Sequence, residues 1–200
     1  QVVMSGPEIL LSQMGIELTT TIKKKYPLAS FQFHAINDDS ALEQVKRGEA
    51  HLAIVTSDLP SKTKFDVKVL GETKFQTYVG FEHPLYSAAK AKKTIPIAEV
   101  LKYPFVSPSN PLLGKVGLKQ SLDGWRDDEF PRKVEFLTSS LKLLEELVVS
   151  GKAIAYLPDY FCENLKVEVL KISGCPYSCA QKVKLVSRNS RNIGWLNQIF

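Results

Sequence analysis

The polar residues best placed for chemistry in this chain stand where helices begin and where buried strands end. Ser5-Gly6 precedes Pro7-Glu8 at the head of a long apolar-periodic segment, and Thr138-Ser139 precedes another. A helix start offers unpaired N–H groups and a partial positive charge, so both places suit a carboxylate or phosphate. Ser5 and Ser139 would add hydroxyls there; capping of the helix is the competing use of the same side chains. Thr56-Ser57 and Ser107 follow short apolar strands, and open α/β sheets take ligands beyond the carboxyl ends of their strands. Asp38, in Asn37-Asp38-Asp39-Ser40, opens a further helix. It either caps that helix or, as a carboxylate, repels an anion and accepts from an amine or hydroxyl. Pro158 and Phe75 are possible apolar walls. The expected ligand-contacting set is therefore Ser5, Gly6, Asp38, Thr56, Ser57, Ser107, Thr138, Ser139 and Pro158.

Bond-making chemistry has little support. His34, His51 and His83 fall on a strand, a strand start and a turn, none with a Ser or Cys nucleophile at a recognisable spacing. Asp127-Asp128-Glu129 lies in a polar link and reads as solvated surface. Gly6 stands alone before its helix, so no glycine-rich phosphate loop is present. Of the three cysteines only Cys175 and Cys179 are close, and neither a second pair nor a nearby His completes a zinc set. Reduced thiols are expected, with no metal, no cofactor and no enzymatic activity.

Two stretches must position the polar residues, and they follow one plan. Residues 42–56 read LEQVKRGEAHLAIVT and residues 144–158 read LEELVVSGKAIAYLP. Each is an apolar-periodic helix, a Gly suited to the left-handed turn past a helix end, and a strand too continuously apolar to be half exposed. Such strands belong in sheets covered by helices on both faces. Two such units about a hundred residues apart in sequence predict two α/β lobes, and a cleft between lobes is a usual place for a small molecule. The remaining pattern gives a strand stub at residues 2–4, a helix ended by Tyr26-Pro27, a strand at 30–36, and strand-like runs at 65–70 and 75–81. Further on it gives an exposed lysine-rich loop at 87–93, a short helix at 97–101, a short strand at 104–107, and a loop at 108–114. A helix is expected at 116–125, strands at 133–137 and 167–172, an edge strand at 181–187, and the beginning of a helix at 192–200.

The chain has 200 residues, 44% hydrophobic and 24% charged, which is ordinary for a globular protein. No apolar run approaches the roughly 20 residues that span a bilayer, and no export signal opens the chain. The net charge of +5 collects in Lys23-Lys24-Lys25 and at Lys90, Lys92 and Lys93. The first run complements a helix end, and neither carries the interleaved aromatics of a nucleic-acid face.

In this order the elements resemble the effector-binding domain of LysR-type transcriptional regulators, across nearly the whole chain. The resemblance is carried by Lys25-Tyr26-Pro27 after a long helix, by Val45-Lys46-Arg47-Gly48-Glu49-Ala50-His51-Leu52-Ala53-Ile54, by the turn Glu82-His83-Pro84-Leu85, and by Val149-Ser150-Gly151-Lys152-Ala153-Ile154-Ala155-Tyr156-Leu157-Pro158. Where many members carry Asp, His51 stands, on the surface side of a strand start and with no expected function. The resemblance implies an α/β fold of two Rossmann-like lobes joined by crossing strands, like the type 2 periplasmic binding proteins. It places lobe I at residues 1–78 and 163–200 and lobe II at 79–162. It also implies a small, preferentially anionic effector, and a homodimer or tetramer paired through the edge strand of the first lobe and the helix at 36–48. DNA would be bound only through an N-terminal helix-turn-helix outside this chain, in the cytoplasm and without a membrane. The alternative is a periplasmic solute-binding protein serving a transporter, which shares the fold.

Overall fold

The computed structural model describes residues 1–59, 64–114, 121–163, 165–175, 179–188 and 194–195. In chain order these form β1 (Val2–Gly6), α1 (Glu8–Leu10), a π-helical segment (Leu11–Gly15), α2 (Ile16–Lys25), β2 (Phe31–Ala35), α3 (Asp38–Arg47), β3 (Leu52–Val55) and β4 (Phe65–Gly80). There follow α4 (Tyr86–Lys90), β5 (Thr94–Pro96), α5 (Ile97–Val100), β6 (Pro104–Pro108), β7 (Lys133–Thr138), α6 (Leu141–Val149) and β8 (Ala155–Pro158). The last are α7 (Asp159–Cys162), β9 (Val167–Val169), β10 (Lys171–Ser173) and β11 (Ala180–Arg188). Of the helix expected at 116–125, residues 121–125 form a turn instead; residues 116–120, the expected helix at 192–200 apart from 194–195, and the loop between Cys175 and Cys179 lie outside the described residues.

The chain packs as two units. Unit 1 is Gln1–Glu72, Leu113–Lys115 and Gln181–Phe200; unit 2 is Thr73–Leu112 and Val116–Ala180. The chain passes from one to the other within β4 and within β11. Residues 163–180 pack in unit 2, not with the first lobe where the sequence placed them. β9 pairs with Tyr78–Gly80 of β4, and β10 pairs with β5.

In unit 1, β1 lies between β2 and β3 in parallel, and β11 joins β3 antiparallel. The apolar stripe of α3 covers one face: Ala41, Leu42 and Val45 pack with Ala53, Val55 and Val186. Asn37 caps α3, its Oδ1 accepting from Ser40 N at 2.9 Å. Gly48, at φ 80°, closes it in the left-handed turn expected of the repeat. In the strand next to the covered face, β11 is flanked by β3 and β4. It is thus an interior strand, not the edge strand that its alternating lysines suggested; Val183, Leu185 and Val186 are fully buried.

In unit 2, β6 and β7 run parallel, and β4 pairs antiparallel with β8. The core joins Val79, Leu85, Ala89, Val100, Phe105, Ile154 and Leu170. Residues 86–90 form α4, with Ala89 in that core; the small, lysine-rich composition that suggested a loop is a helix with one small buried residue. Close backbone approach fixes the end of β4. A Cβ on Gly80 would stand 2.1 Å from the carbonyl oxygen of Val148, in the last turn of α6.

Candidate functional site

The carboxyl ends of β1 and β3 and the start of α3 bring three of the expected residues together in unit 1. Asp38 is 2% exposed. Its Oδ2 accepts from the backbone amides of Thr56 at 2.9 Å and Ser57 at 2.7 Å, with the Thr56 hydroxyl at 3.4 Å. Asp38 sits in the first turn of α3, where the helix dipole favours a carboxylate; Asn37, not Asp38, is the cap. Lys184 of β11 donates through Nζ to the carbonyl of Ser57 at 3.0 Å and to Asp58 Oδ1 at 3.1 Å, fixing the same turn from the other side. Gly114 also lies against it: a Cβ there would stand 2.6 Å from Thr56 Oγ1.

Ser5 and Gly6 are placed differently. β1 extends through both, so Ser5 is a strand residue and caps nothing. Strand alternation puts it on the same face as Val3, toward α3. It is fully buried, its hydroxyl 3.4 Å from the carbonyl of Ala41 and 3.5 Å from that of Leu52. Gly6 has no room for a side chain, because a Cβ would lie 2.3 Å from the Ile54 carbonyl oxygen. His51, expected to be idle, completes the top of β1 instead. Its backbone amide donates to Val3 O at 2.9 Å and its Nδ1 accepts from Val3 N at 3.0 Å. Burial, reinforced by Arg188, holds its pKa below the usual imidazole value.

In unit 2, the parallel pair β6–β7 carries Ser107 opposite Leu137 and Pro108 opposite Thr138. Ser107 and Thr138 are buried. Thr138 Oγ1 accepts from Ser140 N at 3.0 Å, and Ser140 is the cap of α6, its Oγ accepting from Leu143 N at 3.2 Å. Ser139 is exposed between them and does not cap. Pro158, buried, ends β8 opposite Phe75 and leads into α7.

The residues that sequence reasoning missed are Asp123, Arg132 and Lys184. Arg132 has a fully buried side chain, paired with buried Asp123 at 2.6 Å and with Asp127 at 2.8 Å. Its guanidinium lies 5.1 Å from the Trp125 ring centroid and 5.5 Å from that of Phe105. Asp127 is therefore no solvated carboxylate: burial pushes its pKa up, but hydrogen bonds from Arg132 and Ser121 outweigh this and hold it low. Only Asp128 and Glu129 of that acidic run meet the surface expectation, paired with Arg126. An acid and a base nine residues apart around a tryptophan carry no periodicity that would reveal such a cluster.

A separate cavity of about 490 Å³ in unit 2 is lined by residues including Tyr78, Lys92, Asp159, Cys162 and Lys171. Burial pushes the Cys162 thiol up to about 12, far from a reactive thiolate. Among the described residues no group of His, Cys, Asp and Glu is arranged to hold a metal ion.

Parallel strand ends bearing hydroxyls and one buried carboxylate suit reversible binding. The family model for the LysR substrate binding domain matches residues 7–193. The chain belongs to that family. It is thus the effector-binding domain of a LysR-type transcriptional regulator, with the periplasmic-binding-protein-like α/β fold; a transporter's solute-binding protein is not favoured. The domain is similar to the C-terminal domain of a probable LysR family regulator from Rhodococcus sp. RHA1, at 22% identity and TM-score 0.69, covering 94% of this chain and 89% of that one. It is similar to the CcmR regulatory domain of Synechocystis PCC6803 solved with 2-PG, at 14% identity and TM-score 0.68, covering 99% and 96%. Full-length CbnR, solved with its target DNA, is 12% identical at TM-score 0.66, covering 98% of this LysR domain and 69% of that chain. No curated protein sequence matches closely enough to count as a relative.

Proposed function

We propose that this domain senses a small organic anion at the carboxyl ends of its parallel strands, and that binding controls transcription through a DNA-binding segment elsewhere in the polypeptide. The carrying observation is the convergence of Asp38, Thr56 and Ser57 on one buried turn of a LysR-family domain. The reading residues are Thr56 and Ser57 in unit 1 and Ser107, Thr138 and Ser139 in unit 2, with Pro158 as apolar surface. Ser5 and Gly6 contribute by holding β1 in place rather than by direct contact. An acid suits the N–H groups of helix starts, and the CcmR regulatory domain was solved in complex with 2-PG. The domain acts by noncovalent binding rather than as an enzyme, and it works in the cytoplasm, where DNA is. No helix among the described residues is long and apolar enough to cross a membrane.

A thermal-shift screen against small carboxylates, amino acids and inorganic oxyanions tests the reading, because a binder stabilises by mass action. The shift from a hit should disappear in Thr56→Val combined with Ser107→Ala. A hit undiminished in that double variant overturns the placement.

The functional unit is a homodimer. Phe33 on the edge strand β2, with Ile16 of α2, and Val134, Leu137 and Leu143 on β7 and α6 are large apolar side chains left exposed. The outer face of α3, by contrast, carries Glu43 paired with Lys46 and Arg47 and suits solvent. Light scattering should give twice the chain mass for the wild type and the chain mass for Phe33→Lys with Leu137→Lys; a monomeric wild type refutes the pairing.

A further inference from the structure

The turn at the end of β3 holds two buried polar atoms that the fold leaves without partners. Oδ2 of Asp38 is fully used by the amides of Thr56 and Ser57. Oδ1 of the same carboxylate is buried and has no hydrogen-bond partner among the described residues, and the same holds for Ser57 Oγ. The residues are 2% and 8% exposed. The two residues are held together, the Ser57 amide donating to Asp38 Oδ2 at 2.7 Å. Lys184 Nζ, beside this turn, is directed to the carbonyl of Ser57 and to Asp58. Leaving a buried acceptor unmet is unfavourable, and more so for a charged one. A glycine, Gly114, lies against the turn, where even a Cβ would come within 3.3 Å of Ser57 Oγ and 3.5 Å of Asp38 Oδ2. Position 114 thus brings no side chain to Ser57 Oγ.

We infer that Asp38 Oδ1 and Ser57 Oγ form a donor-reading subsite, so that the effector carries an ammonium or hydroxyl group beside its acidic group. The inference rests on the effector-binding reading above and narrows it to amino acids and hydroxy acids, at the expense of plain carboxylic acids. An ionised carboxylate only accepts hydrogen bonds, whereas a serine hydroxyl donates and accepts. An ammonium satisfies both atoms as acceptors. A hydroxyl donates to Asp38 and accepts from Ser57. A second carboxylate at this position meets only the charge of Asp38 and is rejected.

The test is calorimetric titration of this 200-residue domain with two matched sets: L-alanine, L-lactate and propionate; and L-phenylalanine, L-3-phenyllactate and 3-phenylpropionate. In at least one set the amino or hydroxy acid should bind at least tenfold tighter than the plain acid. Asp38→Asn keeps an oxygen for the Thr56 and Ser57 amides and turns an NH2 toward the subsite, so it should shrink the preference below threefold. Ser57→Ala, which leaves the Asp38 clamp in place, should weaken the preferred probe about tenfold and serves if Asp38→Asn fails to fold. Equal binding of the plain acid, a preference that survives in the variants, or no binding by either set overturns the inference. An inorganic oxyanion or plain acid that stabilises the domain in the wider screen while these probes fail leaves the effector-binding reading standing and removes only this one.

Discussion

Acid should unfold unit 2 through one histidine. His83 sits in the turn after β4 at 4% exposure, its ring 5.0 Å from that of Tyr103. Its Nδ1 accepts from Leu85 N at 3.1 Å, and its Nε2 is buried with no hydrogen-bond partner. Burial lowers its pKa from 6.5 to about 4. Above pH 6.5 the ring is neutral in folded and unfolded chains alike, so its full contribution to stability is present. Between 6.5 and about 4 the unfolded chain takes up a proton that the folded one refuses, and stability falls; below that the loss is complete. At about 1.4 kcal/mol per pH unit, the interval amounts to about 3 kcal/mol. Urea titrations from pH 7.5 to 4.5 measure this, read by Trp125 fluorescence in a Trp195→Phe background so that only unit 2 reports. The comparison is His83→Asn, whose side-chain oxygen can still accept the Leu85 amide. The wild type should lose about 2–3 kcal/mol more than the variant over that range. Parallel pH curves would refute the assignment of a neutral, buried imidazole.

Three further outcomes follow from named contacts. Arg132→Met strands the buried Asp123 carboxylate and should cost about 3–5 kcal/mol in urea unfolding, while Arg126→Met, at a surface pair, should cost less than about 1. Gly80→Ala places a methyl group against two backbone carbonyls of α6 and should cost more than about 3 kcal/mol in thermal melts; Gly71→Ala, in the same strand with nothing within 4 Å, should be near neutral. Cys162 is buried with its thiol pushed up to about 12, so peptide mapping after maleimide treatment at pH 7.5 should find it unlabelled in the native protein and labelled in urea.

What the sequence made legible was whatever a local pattern specifies. The helix, Gly and strand of residues 42–56 appear as α3, Gly48 and β3 because stripe, turn and buried run are each encoded within a few residues. Packing that depends on partners far along the chain was not legible. β11 alternates lysine with apolar residues, yet it is interior: Lys184 turns to the end of β3, 127 residues away in sequence. Residues 65–70 and 75–81 read as two runs, but β4 continues through Gly71 and Glu72, where composition gives no strand signal.

The same distinction governs the binding residues. A polar residue at a strand end is visible in sequence, but the face it points to is fixed by the strand's alternation and by what covers each side. Ser5 and Ser57 look alike in sequence, a serine beside the end of an apolar run. Ser5 is still within β1, on the face covered by α3, so its hydroxyl reaches backbone carbonyls already present in the fold. Ser57 is two residues past β3, its amide taken by Asp38 and its hydroxyl left over. An Asp38 on the first turn of α3 is ordinary as helix chemistry, and only the register between α3 and β3 makes one of its oxygens a clamp and leaves the other vacant. Which polar atoms the fold has not already used is a property of the packing, and that accounting requires the tertiary structure.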